Sequence, residues 1–114
     1  MPEIKTVKSS QYIVVQTAVD SSKVAKHIAK QLVRQKLVAC AQVIPRLTSF
    51  YWWEEKVQCA REYLVLAKTE ARLFTNVEQA IVAMHPYALP DIIAWEIAVG
   101  KQDYLDWISA AVSH

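Results

Sequence analysis

The sequence predicts an α+β sandwich, with strands and helices in the order β-α-β-β-α-β and one further helix at the end. Three observations carry that prediction. Short apolar, β-branched runs flank two stretches in which apolar residues return every three or four positions. Between those stretches lies an unusually long pair of strand-like arms. Finally, the 114 residues include a single glycine, Gly100. Glycine-rich phosphate loops need several glycines close together, and barrels with many tight turns lean on glycine for positive φ, so neither fits this chain.

The elements follow in order. Residues 1–10 are polar and read as an N-terminal tail; residues 11–114 read as one domain. Tyr12-Ile13-Val14-Val15 opens a buried strand that ends near Val19. Asp20-Ser21-Ser22 then signals a helix start. Val24, Ile28 and Leu32, flanked by Ala25, Ala29 and Val33, form its apolar face. Lys23, Lys26, Lys30 and Arg34 form a basic stripe on another face, most simply a solvated surface. From Leu37 the period becomes strand-like, through Cys40, Val43 and Ile44 to the aromatic run Phe50-Tyr51-Trp52-Trp53, with Pro45 predicting a bulge or bend. Glu54-Glu55 is the predicted turn, and Val57 to Ala67 the return strand. A second helix is predicted from about Ala71 to Met84, stopped by Pro86. Ile92 to Val99 reads as a strand with a wholly apolar odd face, ended by Gly100, and Tyr104, Trp107, Ile108, Ala111 and Val112 mark the last helix.

This order is the split βαβ, or ferredoxin-like, sandwich, an antiparallel sheet with helices on one face. Typical strands run about 5–6 residues, so the arms of the central hairpin must outrun the helices that could cover them. Four consecutive aromatics on such a ribbon predict a partner surface, with folding back onto the same domain as the alternative. A turn at Glu54-Glu55 places Cys40 opposite Thr69 and Cys59 opposite Phe50, too far apart for a disulfide.

Composition limits the function classes. Thirteen Lys plus Arg against eleven Asp plus Glu give a net charge of +2, too balanced to argue for nucleic acid or an anionic membrane. No apolar run approaches the roughly 20 residues that span a bilayer. A polar N-terminus without a signal-like apolar stretch gives the expectation of a cytoplasmic location with reduced thiols. Neither cysteine belongs to a C-x-x-C, and no nucleophile or zinc-protease motif is present. His85, at the end of helix two in His85-Pro86-Tyr87-Ala88-Leu89-Pro90-Asp91, has two readings: a structural histidine on the last helical carbonyls, or a metal ligand. Lys68-Thr69 can be read as an anion site or, more plainly, with Thr69 as the cap of helix two. Glu62 shares a face with Leu64 and Leu66 and needs a partner.

From Tyr12 to Val112 the chain resembles the CutA family of divalent-cation tolerance proteins. The residues that carry the resemblance are Leu37-Val38-Ala39-Cys40, Pro45, Ser49 with Tyr51 and Trp53, Glu62, Lys68-Thr69, His85-Pro86-Tyr87 with Pro90, and Gly100 with Tyr104 and Trp107. The resemblance implies a ferredoxin-like subunit in a homotrimer closed by its long hairpins, like the PII signalling proteins. It implies a role in metal tolerance without catalysis, and copper or another divalent ion bound by some members. His85 is then the metal candidate, and Cys40, Trp53, Lys68 and Tyr87 are candidates for lining a ligand cleft between subunits. The chain departs from the family pattern at Gln16 and Met84, where copper-binding members can carry cysteine and histidine. It also has Arg46 and Glu55 where the family usually has glycine, which predicts a wider hairpin turn. The competing expectation is a stable trimeric interaction or signalling scaffold with no metal site.

Overall fold

The computed structural model describes residues 11–114 and the backbone of residues 6–8. Ten elements follow one another: β1 (Thr6–Lys8), β2 (Tyr12–Val19), α1 (Ser22–Arg34), β3 (Cys40–Trp53), β4 (Lys56–Glu70), a 3-10 turn (Ala71–Leu73), α2 (Phe74–Met84), β5 (Ile93–Glu96), β6 (Val99–Lys101) and α3 (Gln102–Ala111). The four main strands form one antiparallel sheet in the order β3-β4-β2-β5. That order, with α1 and α2 packed on one face, is the predicted ferredoxin-like sandwich.

The first helix starts where Ser21 accepts a hydrogen bond from Val24 N–H at 3.2 Å, which satisfies one of the free donors of the first turn. It ends through Lys36 at φ 57, with Lys36 N–H bonded to Val33 O and Leu37 N–H to Leu32 O. Its apolar face packs Ala25, Ile28, Ala29 and Leu32 against the odd-numbered residues Ile13, Val15 and Val19 of β2 and Val65 and Ala67 of β4. Leu73, Val77 and Ile81 from the second helical segment and Leu105, Ile108 and Val112 from the last complete this core. Each fully buried aliphatic side chain contributes roughly 1.5–3 kcal/mol relative to an exposed one. Meanwhile Lys23, Lys26, Lys30 and Arg34 are all exposed, the solvated stripe of the simpler reading.

The hairpin arms, of 14 and 15 residues, are as long as the sequence predicts. Its tip differs from the prediction. Trp53 pairs with Lys56, so the loop has two residues, and Glu54 and Glu55 both take positive φ, 52 and 63. This is the twist-matched geometry that glycine or asparagine usually supplies; the turn is tight, not wide, and glutamates bear the strain. Arg46 takes φ 56 within the bulge between Ile44 and Leu47. The bulge corrects one predicted pairing. Phe50 faces Cys59 as expected, but the extra residue moves the register beyond it, so Cys40 faces Lys68 and not Thr69.

The expected strand over 92–99 is two shorter ones. β5 pairs with β2, whereas β6 pairs with β1, with Gly100 opposite Val7 inside the ladder. Thr6–Lys8, within the segment read as a tail, is therefore a strand in the described backbone. Gly100 is not used for a positive φ. A Cβ there would lie 2.9 Å from Leu105 Cδ2, and Leu105 is fully buried. The lone glycine is a packing residue, and the left-handed positions belong to Lys36, Arg46, Glu54 and Glu55.

Candidate functional site

Helices α1 and α2 cover one face of the sheet, and the even-numbered residues of β2 and β4 point to the other, where Tyr12, Lys68 and Glu70 meet Ser109 and Tyr104 of α3. On the part of that side that α3 leaves uncovered lies a cleft of about 530 Å³ between the outer half of the hairpin and the loop after α2. Tyr51, Trp53, Glu62, Leu64, Tyr87 and Asp91 are among the residues that line it. Glu62 is buried, and its Oε2 accepts a hydrogen bond from the Tyr87 hydroxyl at 2.8 Å. Burial first, and then the hydrogen bond and charge of Glu62, hold the Tyr87 hydroxyl far above the ordinary tyrosine range, so it remains a donor. Across the cleft, Asp91 accepts from Ala18 N–H at 3.1 Å. Loss of hydration raises its carboxyl above the usual range, only partly offset by that hydrogen bond.

His85 stands behind Tyr87, the two rings edge to face with centroids 4.6 Å apart. It is buried, and both ring nitrogens are engaged by backbone. Nε2 lies 2.8 Å from the carbonyl of Ala18, and Nδ1 accepts from Tyr87 N–H at 3.2 Å. A carbonyl only accepts, so the proton sits on Nε2. The histidine therefore joins β2 to the loop after α2, in place of the predicted bonds to helical carbonyls. A metal could take either nitrogen only by displacing one of these partners.

Cys40 and Lys68 sit elsewhere, opposite each other at the far end of the hairpin. Lys68 Nζ donates to the Tyr104 hydroxyl at 3.3 Å and lies 5.5 Å from the centre of that ring. Cys40 Sγ is 3.9 Å from the same hydroxyl. Thr69 does not cap the second helical segment; its hydroxyl donates to Leu37 O at 2.6 Å and anchors the end of α1 to β4. The predicted candidates thus divide in two: Trp53 and Tyr87 line the cleft with His85 behind, whereas Cys40 and Lys68 form a separate cluster. Asp91 escaped the sequence reading because only the fold brings it to Ala18; the one signal was its place at the end of the His-Pro-Tyr run.

A family model for the CutA1 divalent ion tolerance protein matches residues 13–111. The chain belongs to the CutA1 divalent ion tolerance protein family. A divalent-cation tolerance protein CutA of Thermus thermophilus is 43% identical over 95 residues, covering 83% of this chain and 92% of that one. Its counterpart in Archaeoglobus fulgidus is 41% identical over 88 residues, covering 77% and 85%. Among solved structures, the Thermus thermophilus protein superposes with a TM-score of 0.83 at 42% identity, over 85% of this chain and 94% of that one. The Archaeoglobus fulgidus structure gives 0.87 at 35% identity, over 90% and 99%.

These relatives correct one expectation. The solved Archaeoglobus protein is described as periplasmic, and the rice and Arabidopsis relatives as chloroplastic. Family membership therefore does not carry the cytoplasmic location expected from the polar N-terminus. Among the described residues, no helix is long and apolar enough to cross a membrane, and no group of three or more His, Cys, Asp or Glu side chains is arranged to hold a metal ion.

Proposed function

We propose that this CutA1-family chain is a self-associating, non-catalytic tolerance protein, a homotrimer of PII-like architecture closed through its uncovered sheet face and aromatic ribbon. The observation that supports this most is the apolar surface a single chain leaves bare. Ile44, Ile93, Trp95 and Val99 on the sheet side and Phe50, Trp52 and Val57 on the ribbon are all exposed. An exposed patch of that kind, with two unpaired sheet edges beside it, favours a partner of the same chain.

The residues of one chain do not suit copper. Copper favours imidazole and thiolate. Here His85 is fully hydrogen-bonded to backbone, Gln16 and Met84 stand where copper-binding members can carry cysteine and histidine, and Cys40 belongs to the separate cluster with Lys68 and Tyr104. That favours a scaffold or signalling role in metal tolerance over a copper site centred on His85. Sedimentation equilibrium tests the assembly: a trimer is expected, and a stable monomer overturns it. Calorimetric titration of copper and zinc into the wild type and His85→Ala tests the second half. Equal heats support the reading; heat lost only in the variant, with assembly intact, restores the metal site.

A further inference from the structure

Solvation explains why the basic stripe of α1 is exposed, but not how its charges are arranged. Lys23, Lys26, Lys30 and Arg34 fall within about 80° around the helix and along roughly 16–17 Å of its length. Lys36, just past the helix end, is exposed as well. No acidic residue lies between Ser21 and Leu37. This stretch therefore holds five of the thirteen Lys and Arg residues, leaving eight against eleven Asp and Glu in the rest of the chain. Among the described residues the two ion pairs are Glu70 with Arg72 and Asp103 with Lys101, and neither uses a cation of this helix.

The pattern works against the helix that carries it. Lys26 with Lys30, and Lys30 with Arg34, are like charges four positions apart, and such pairs destabilise a helix. Lys23 stands in a first turn without any acidic residue, where the helix dipole disfavours a cation. A face needed only for solubility would intersperse both signs. One sign held at a cost to the helix points to an anionic partner.

Position and composition narrow that partner. Ala25, Ile28, Ala29 and Leu32 turn α1 towards the sheet, so the stripe faces outward, away from the associating face. Val33 is the one large apolar side chain exposed on this helix, and no residue of the helix is aromatic. Membrane-surface helices set Trp, Phe or Leu beside their cations. Protein interfaces are depleted in lysine, and single-stranded nucleic acid is held by stacking on aromatic rings. None of these fits. Lysine is a point charge on a flexible stem, suited to a run of phosphates. In the trimer proposed above, three stripes face three directions, within joint reach of a flexible polymer but not of a flat bilayer.

We propose that the outer face of α1 binds linear inorganic polyphosphate through Lys23, Lys26, Lys30 and Arg34. Binding is by charge, with release of counter-ions, and one polymer can engage more than one stripe of an assembly. Only that last feature rests on the association reading, since each stripe lies within one chain.

The test titrates the assembled protein into end-labelled linear polyphosphate and follows fluorescence anisotropy at rising sodium chloride. Saturable binding is expected, weakening steeply with salt. Lys30→Gln should bind more weakly and lower the salt slope by about one for each subunit in contact. Lys101→Gln, which removes a charge outside the stripe, should bind as the wild type does. Lys26→Glu combined with Lys30→Glu should lose about tenfold or more. The second change places a carboxylate four positions before Arg34, a pairing that supports the helix, and circular dichroism and sedimentation establish that each variant keeps the native state. Binding by a wild type that sediments as a monomer supports the proposal while ending the association reading. Absence of saturable binding at low salt overturns it. So does equal weakening by Lys101→Gln and Lys30→Gln, equal competition by orthophosphate at the same phosphate concentration, or tighter binding of oligothymidylate, polyglutamate or phosphatidylserine vesicles.

Discussion

The two faces of the sheet obey different rules. On the covered face, the odd-numbered residues of β2 and β4 meet α1 and α2, and Val15, Val19, Val65, Ile28 and Leu32 are all but sealed from water. On the other face, Ile93 and Trp95 are as apolar as any of these, yet about half exposed. Hydrophobicity is therefore not what separates them; what separates them is whether this chain supplies its own cover. The covered face carries the stability of the fold, and the bare face carries its contacts and its cleft.

Four substitutions and one titration break or sharpen this contrast. The largest effect should follow Ile28→Ala, which opens a cavity in the sealed layer and should cost about 2–5 kcal/mol in urea unfolding at fixed protein concentration. A loss below that range would mean that the helix layer is less tightly packed than its burial shows. Next, His85→Ala strands the Ala18 carbonyl and the Tyr87 N–H, and should cost about 1–3 kcal/mol by the same measurement. Nitrogen-15 spectra of the wild-type imidazole should show the proton on Nε2.

The turn comes third. Glu55 sits at φ 63, where a side chain crowds its own carbonyl. Glu55→Gly should raise stability by about 1 kcal/mol, the steric cost removed less the added freedom of the unfolded chain. An unchanged or lower melting temperature would show that the hairpin tip is not strained.

Glu70 supplies the titration. Burial alone would raise its carboxyl, but hydrogen bonds from Gln11, Ser109 and Arg72 outweigh it and bring the pKa below its ordinary 4.5. Its folded pKa lies below the unfolded one, so its contribution is fully present above about pH 4.5 and lost as pH falls through the folded value. With Arg72 half exposed, the effect should be at most about 1 kcal/mol. Acid unfolding of Glu70→Gln should show a shallower slope in that window. Asp91, whose carboxyl is raised, acts with the opposite sign: it favours the fold at low pH and loses that contribution as pH rises.

The smallest effect on the chain's own stability belongs to Trp52→Ser, about 0.5 kcal/mol or less for an exposed site. Its expected effect is on assembly, read as weaker association in sedimentation equilibrium. A core-sized loss of stability at dilutions where the wild type is monomeric would show that Trp52 packs within its own subunit.

How far the residues alone revealed this can be traced element by element. Alternation in Tyr63 to Ala67 and the four-residue spacing of Val24, Ile28 and Leu32 marked both layers, because burial on one side leaves a period in the sequence. The helix start at Asp20-Ser21-Ser22 was legible for an equally local reason, although only the structure picks Ser21 as the cap. Glu62 was legible as a carboxylate in want of a partner, but not the identity of that partner, since Tyr87 is 25 positions away. Likewise His85 looked like a helix cap or a ligand, because nothing local shows that the fold delivers the Ala18 carbonyl to its Nε2.

The sequence by itself determined the order of the main strands and helices, the length of the ribbon, the oily faces and the family. Those depend on short-range periodicity and on residue type. Tertiary structure decided the rest. It moved Cys40 opposite Lys68 through a bulge, and it split the last strand between two partners, β2 and β1. Its twist demanded left-handed turns that glutamate and arginine had to supply. It also reserved the lone glycine for the tight approach of Leu105. Register, strand partnership and close contact are set by what arrives from distant parts of the chain, and no local pattern records that.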